Sequence, residues 1–171
     1  MTRRSAILLS TAMFLAACAT AAPPVRLGSD GKPLAQVYRI SAADTAAIQF
    51  RTLDGVNALR QAAGAPPLQL NAQLNAAAAT HSRDMHVQNR PWHFGSDGSS
   101  PIDRVRRVGY TGRLLGENIS ETFETELETL AAWAADKKTR AVMVDPEARQ
   151  MGFAWFQEPS GKIWWTLVTG T

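Results

Sequence analysis

Three short runs in the middle of the chain carry the residues able to do chemistry. They are His81-Ser82-Arg83-Asp84-Met85, then His93-Phe94-Gly95-Ser96-Asp97-Gly98, and then Gly116-Glu117-Asn118-Ile119. The only histidines of the chain, His81, His86 and His93, all fall in or beside the first two runs. An imidazole and a carboxylate brought together inside a fold need partners, because an unpaired ionisable group is costly there. The pattern therefore points either to a polar network that orders a loop or to a site.

A nucleophilic serine reading uses Ser82, His93 and Asp97. It lacks a Gly-x-Ser-x-Gly elbow, and Ser82 falls inside a helical pattern where no strained turn would expose it. Neither a Gly-rich phosphate loop nor a zinc-type cysteine pair occurs. His81 shares an apolar helix face with Leu74, Ala78 and Met85, which is the setting of a satisfied core histidine. From there its ring can donate to a loop carbonyl and set the loop that carries His93. His86 falls off that face and reads as solvated.

The elements that must hold these residues are mostly helical at first. Ser41 and Asp44 form a capping box for a helix with Ile48, Val56 and Leu59 inward, ending at Gly64 before Pro66-Pro67. Asn71 caps the helix of His81. Ser100, Pro101 and Asp103 start a short helix that Gly109 ends. A longer helix is expected from Ser120, with Phe123, Leu127, Leu130, Ala131 and Ala134 on one face. Its acids, Glu121 and Glu124, come early and its Lys137 and Lys138 late, as the helix dipole prefers. Met151 to Gln157 and Lys162 to Thr169 are aromatic and β-branched runs around Glu158-Pro159-Ser160-Gly161, a hairpin signal. A third strand belongs near Glu117 to Ser120 or just before it. Gly116 reads as a backbone position with little room or with positive φ. Helices followed by a hairpin make the fold class α+β.

The N-terminus bears on location. Arg3 and Arg4 precede an apolar run, Ala6 to Ala17, that is short for a membrane span. Leu15-Ala16-Ala17-Cys18 is similar to the lipobox of bacterial lipoproteins, so residues 1–17 are expected to be a signal peptide and Cys18 the lipidated first mature residue. The other reading is a secretory peptide cleaved near Ala22, with Cys18 discarded. Residues 18–40, with prolines and small residues, are read as a tether, and 41–171 as the domain. Leu34 to Ile40 can equally pack on the domain. Cys18 is the only cysteine, so no intramolecular disulfide can form. Removing residues 1–17 takes away Arg3 and Arg4 and no acid, which brings the formal charge from +3 to +1. That balance, with no Lys/Arg run, argues against a nucleic-acid partner.

Taken in order, these segments resemble the CAP superfamily in its bacterial, SCP-like branch, over Leu53 to Val168. The matching pieces are Asn57 to Arg60, Pro67 to Asn71, Ala77 to Met85, His93 to Arg104, Gly109-Tyr110, Gly116 to Ile119, Trp133 and Met151 to Phe153. The resemblance implies an α-β-α sandwich with a small antiparallel sheet between helical layers. It also implies a cleft with two histidines and two acids, which in some members binds a divalent metal such as zinc. By motif, His93 and Glu117 take the first histidine and the first acid. Asp136 is offered for the second acid. Thr139 stands before Arg140-Ala141, where bacterial members carry the second histidine.

The expected site is thus a cleft with candidates His93, Glu117, Asp136 and Thr139, and with His81 in a structural network. As a metal centre it has only His93 and Glu117, fewer than the three protein ligands of catalytic zinc. The reading preferred to metal catalysis is that His93 and Glu117 hydrogen-bond each other and nearby backbone and so order the loop. No resident cofactor is expected beyond a weakly bound divalent metal. The resulting expectation is a lipid-anchored protein of the bacterial cell envelope that binds a lipid, peptide or polymer. Its membrane contact is the lipid on Cys18, and Ala19 favours the outer membrane's periplasmic face in a Gram-negative source. The alternative is a metal-assisted hydrolase of peptide or envelope polymer, with Glu117 as base and His93 as ligand. A third is a structural envelope protein without a small ligand.

Overall fold

A computed structural model describes residues 37–122 and 124–171. The expected signal peptide, Cys18 and all of the tether up to residue 36 lie outside the described residues, as does Phe123. Among the described residues no helix is long and apolar enough to cross a membrane.

The caps act where the sequence puts them. Ser41 N–H and Oγ bond Asp44 Oδ2, and a short 3-10 turn, Ala42–Asp44, leads into α1, Thr45–Ala62. Gly64 then adopts φ +71°, a left-handed conformation that suits glycine after a helix. A two-residue strand β1, Gln69–Leu70, precedes α2, Ala72–Gln88, whose cap Asn71 accepts from Leu74 N–H at 3.0 Å. The helix α3, Pro101–Arg107, is capped by Ser100 with Asp103, and Gly109 at φ +78° follows it. Strand β2 covers Leu114–Thr122. Helices α4, Glu126–Ala135, and α5, Lys137–Val144, then lead to the hairpin β3, Gln150–Gln157, and β4, Ile163–Gly170.

The sheet order is β1-β3-β4-β2, with β1 parallel to β3 and the other pairs antiparallel. Layers form because alternate strand residues face opposite sides. On one side α2 lies so close that a Cβ on Gly152 would fall 2.1 Å from the Leu74 carbonyl carbon. The small core there joins Leu74, Ala77 and Ala78 to Val105, Ala154 and Val168. On the other side Ile48, Val56, Leu130 and Trp133 pack on Phe153, Trp165 and Leu167. Phe153 stacks on Trp165 with ring centroids 5.4 Å apart. This is the α-β-α sandwich, in the α+β class, with four strands of mixed direction.

The helix expected from Ser120 changes most. It begins only at Glu126, because Ser120 to Thr122 pair with β4. Thr125 and Glu128 are the effective capping box. The inward face is Glu126, Thr129, Leu130 and Trp133, while Leu127 is exposed. Nor is that helix continuous. Asp136 leaves helical geometry at ψ 133° and caps α5 by accepting from Lys138 and Thr139 N–H. Lys137 and Lys138 therefore open α5 rather than close α4, the less favourable end for a cation. The strand β1, which parallels β3, is too short to carry a periodicity. Residues 37–40 follow the packed one of the two readings given for that segment: Tyr38 O–H donates to Glu126 at 2.8 Å, Ile40 N–H donates to Gln157, and the Tyr38 and Ile40 side chains pack on the core.

Candidate functional site

Glu117 is the centre of the polar cluster. The alternation of β2 turns its side chain toward α2, while its neighbour Asn118 faces α5 and donates to the Thr139 carbonyl at 2.8 Å. The Glu117 carboxylate is only 4% exposed. Its Oε1 accepts from His93 Nδ1 at 2.9 Å and its Oε2 from Arg104 Nη2 at 2.7 Å.

Arg104, from α3, is itself buried and ties the site to its loop. Its Nη1 donates to the carbonyls of His93, at 3.0 Å, and Ser99, at 3.2 Å. The loop is also fixed from α2. His81, fully buried, lies 2.9 Å through Nε2 from the Trp92 carbonyl. A carbonyl only accepts, so this nitrogen carries the proton. The same Nε2 is 3.7 Å from Glu117 Oε1, too long for a hydrogen bond but close enough for charge to matter. Asp84 accepts from Ser96 N–H and Oγ, and Gly95 N–H bonds Ser99 C=O. At Gly95 there is no room for a side chain: a Cβ would fall within 2.6–2.8 Å of Ser99, Asp84 and Asp97 oxygens.

The electrostatics follow from burial. Loss of water pulls the His81 pKa below its ordinary value, only partly opposed by the Glu117 charge. Burial alone would raise Glu117. The hydrogen bond from His93 and the charges of His81 and Arg104 outweigh it, and the net shift is downward. Because burial favours neutral His81, the lasting counter-charge for Glu117 is Arg104.

The geometry defines what His93 can offer. Its side chain is 51% exposed. A carboxylate only accepts, so Nδ1–H donates, and in the neutral ring Nε2 presents a lone pair. A carboxylate-oriented imidazole of this kind can accept a hydrogen bond from a ligand, take a proton, or ligate a metal. Beside the loop lies a cleft of about 370 Å³ lined by Thr80, Arg83, Asp84, Ser96 and Asp97 and sharing Arg104 with the site.

The other expected residues are placed differently. Asp136 uses Oδ1 to cap α5, and the hydrogen bonds from Thr139 and Lys138 N–H hold its carboxyl below the usual range. Thr139 Oγ1 donates to the Trp133 carbonyl at 2.7 Å. Both oxygens of Glu117 are taken. Among the described residues no group of three or more His, Cys, Asp and Glu stands close enough to hold a metal ion. Of the pair expected to ligate, His93 and Glu117, only His93 Nε2 has no hydrogen-bond partner among the described residues, so these residues do not fit the zinc centre that the resemblance implies.

The serine reading fails on burial and on hydrogen-bond partners. Ser82 is buried and donates to Thr166 Oγ1 at 2.8 Å, while Asp97 bonds Ser99 N–H and pairs with Arg107. His86, expected in solvent, is instead half-buried: it stacks on Phe156 at 4.5 Å and bonds Glu158 Oε1 at 3.0 Å. A carboxylate brought round by the hairpin gives it a partner that helical spacing does not show. Sequence reasoning missed Arg104. The available signal was its place one residue before Val105, on the inner side of a helix capped by Ser100.

The family model for cysteine-rich secretory proteins, CAP, matches residues 53–169. The uncharacterized protein YkwD of Bacillus subtilis (strain 168) is 30% identical over 118 residues, covering 69% of this chain and 45% of that protein. The chain thus spans less than half the length of that relative. Among solved structures, an extracellular SCP-domain protein of Bacillus anthracis str. Ames superposes with TM-score 0.68 at 19% identity, over 78% of this chain and 45% of the other. An outer surface protein of Borrelia burgdorferi gives 0.67 at 13% identity, over 80% and 98%. At such identities these structures support the fold alone.

Proposed function

The chain belongs to the cysteine-rich secretory protein, or CAP, family, and from that premise we propose that it is a lipid-anchored binding module of the cell envelope whose ligand meets the cleft around His93 and Glu117. One observation carries the reading. Glu117 is buried with both oxygens occupied, while the imidazole it orients is half exposed with one nitrogen free. A side chain held so firmly is prepared to contact something at a fixed place, since ordering has already been met by the fold.

The same hydrogen bonds weigh against metal-assisted hydrolysis. That reaction would need Glu117 as a base for a metal-bound water, but His93 and Arg104 already bond its two oxygens and lower its basicity. No hydroxyl or thiol among the described residues bonds His93 Nε2, so a nucleophile for covalent catalysis is not supplied either. The anchor on Cys18 rests on the lipobox-like sequence.

The test is a binding panel on the purified chain: phosphatidylglycerol vesicles, soluble peptidoglycan fragments and a decapeptide library. Wild type and His93→Ala are compared by calorimetry. At least one class should bind wild type and lose about tenfold or more on His93→Ala, a change of about 1.4 kcal/mol. Equal binding by both proteins to every class would sink the cleft reading. Hydrolysis of any of them by wild type, lost in His93→Ala, would replace it with an enzyme.

A further inference from the structure

Strand β2 is an edge of the sheet, and the hydrogen-bond parity of the hairpin tells which of its groups are free. On β3, Met151 C=O accepts from Asn71 N–H, and Phe153 uses its N–H and C=O on Asn75 and Gln49. The odd-numbered residues of β3 therefore bond away from β4, and the even-numbered ones bond to it. By the β3–β4 register, even residues of β4 are thereby used, leaving Trp165 and Leu167 to bond β2. These pair with Ser120 and Asn118. It follows that Glu117, Ile119 and Glu121 aim their N–H and C=O groups outward.

Of those groups, only the Ile119 carbonyl has a partner among the described residues, Trp133 Nε1 at 3.3 Å. The edge is reachable beside the site. Glu117 as a whole residue is partly exposed although its side chain is only 4% so, which makes the exposure that of its main chain. Ile119, half-buried, belongs to neither core cluster. Its side chain shares a face with that of Glu117.

We propose that the outer edge of β2 docks an extended peptide, which adds a strand to the sheet with its backbone along Glu117 to Glu121 and shares the Ile119 carbonyl, through its second lone pair, with Trp133. This rests on the cleft reading and names the ligand class. Donors and acceptors recurring every second residue of a strand, about 6.6 Å apart, match another extended backbone. A sterol, with its single hydroxyl, or an acyl chain cannot meet a repeating row of them. A peptide residue paired opposite Glu117 would place its side chain on the same face, beside His93, within the ~5 Å of a cross-strand pair. The Ile119 side chain offers the next pair an apolar contact.

The experiment uses the full chain in detergent micelles and a decapeptide library as probe. Hydrogen exchange should first show the Glu117 and Ile119 amides unprotected in the free protein, then protected at least tenfold with the best decapeptide bound. That peptide is then resynthesised with N-methyl groups on alternate amides. One alternate set should abolish binding and the other leave it within about twofold, because only every second peptide N–H faces β2. Ile119→Pro, which removes an outward N–H without touching the β4 ladder, should weaken binding at least tenfold. The N-methylated peptides keep the test valid if that variant does not fold.

Equal effects of both methylated sets, or no decapeptide binding, would overturn the proposal. So would protection of the edge amides in the free protein, which would mean that residues 19–36 or a second copy already fill it. If His93→Ala impairs a ligand that both methylated sets or Ile119→Pro leave unaffected, the cleft reading survives and the edge proposal falls. If decapeptide binding shows the alternate-set effect but ignores His93→Ala, the edge stands and the role of His93 falls.

Discussion

Two buried arginines in this molecule are held in opposite ways. Arg60 on α1 is fully buried and donates only to carbonyls: Pro66, Met143, Asp145 and Ala148. It clasps the loops around the α5 end to the first helix, and burial lowers its pKa. Arg104 also bonds two carbonyls, but its other nitrogen holds Glu117, which in turn orients His93 at the surface. The first arginine ends in the backbone. The second ends, two hydrogen bonds later, at an imidazole that solvent and ligands can reach. Burial of a charge alone does not mark a site; the chain of partners leading outward does.

The largest effect should come from Arg104→Met at neutral pH, about 3–5 kcal/mol of stability, because it leaves Glu117 buried without its lasting counter-charge. Urea unfolding measures it. The pH dependence sharpens the claim. In wild type the depressed Glu117 carboxyl contributes stability that is present above the usual carboxylate range and lost as pH falls through its folded value. His81, also depressed, works in the same direction: its contribution is full above about pH 6.5 and declines on acidification below that. Wild type should therefore weaken from pH 7 toward pH 4. Arg104→Met should weaken less over that range, since protonating Glu117 removes the unpaired charge. A pH profile parallel to wild type would mean that Arg104 is not what keeps Glu117 ionised.

Arg60→Met should cost about 2–4 kcal/mol by leaving its carbonyls without donors. Its difference from wild type should stay nearly constant between pH 7 and 4, because Arg60 hydrogen-bonds only carbonyls and no carboxylate. Binding of any ligand found for the cleft should be unchanged under conditions where the variant is folded. Loss of that binding would erase the contrast between the two arginines.

Gly116→Val is expected to cost about 1–3 kcal/mol through overpacking. The reading from sequence left open whether this glycine needs room or positive φ. Among the described residues the positive-φ glycines do not include it, whereas a Cβ there would fall 2.7 Å from Val142 Cγ1. Room is therefore the constraint, and Val142→Ala should recover part of the loss. No recovery in a thermal melt would assign the defect to the backbone instead.

Local signals were legible where one residue type has one physical use. Asn71, Ser100 with Pro101, and the Glu158 to Gly161 turn could be placed from sequence because caps and turns are short-range. The start of α4 was misplaced because Glu121 and Glu124 look like a first turn, and only pairing with β4 makes Ser120 to Thr122 a strand. His93 and Glu117 could be singled out by type, and their hydrogen bond is expected from the family resemblance, since the β2 register that brings them together is carried by no local pattern. Arg104 is harder to single out because three arginines crowd α3, and only its place beside Val105 on the inner side sets it apart from exposed Arg106 and Arg107.

The smallest effect concerns zinc, and it tests whether Arg104 decides the chemistry of the cluster. Wild type should bind zinc weakly or not at all near neutral pH, since Glu117 is already doubly bonded and Asp136 is committed to the α5 cap. Thr139→His adds an imidazole on a residue whose carbonyl is tied to Asn118, next to Glu117. It should raise affinity by less than about tenfold, because Glu117 stays bonded at both oxygens and the set still lacks a third good ligand. Adding Arg104→Met to Thr139→His releases Glu117 and should raise affinity further. Adding His93→Ala to Thr139→His should cancel the gain. Calorimetric titration of these variants beside wild type separates the cases. Tight one-to-one binding by wild type that vanishes with His93→Ala would return the site to metal chemistry. A gain in Thr139→His that Arg104→Met does not increase would show that the guanidinium is not what withholds the carboxylate.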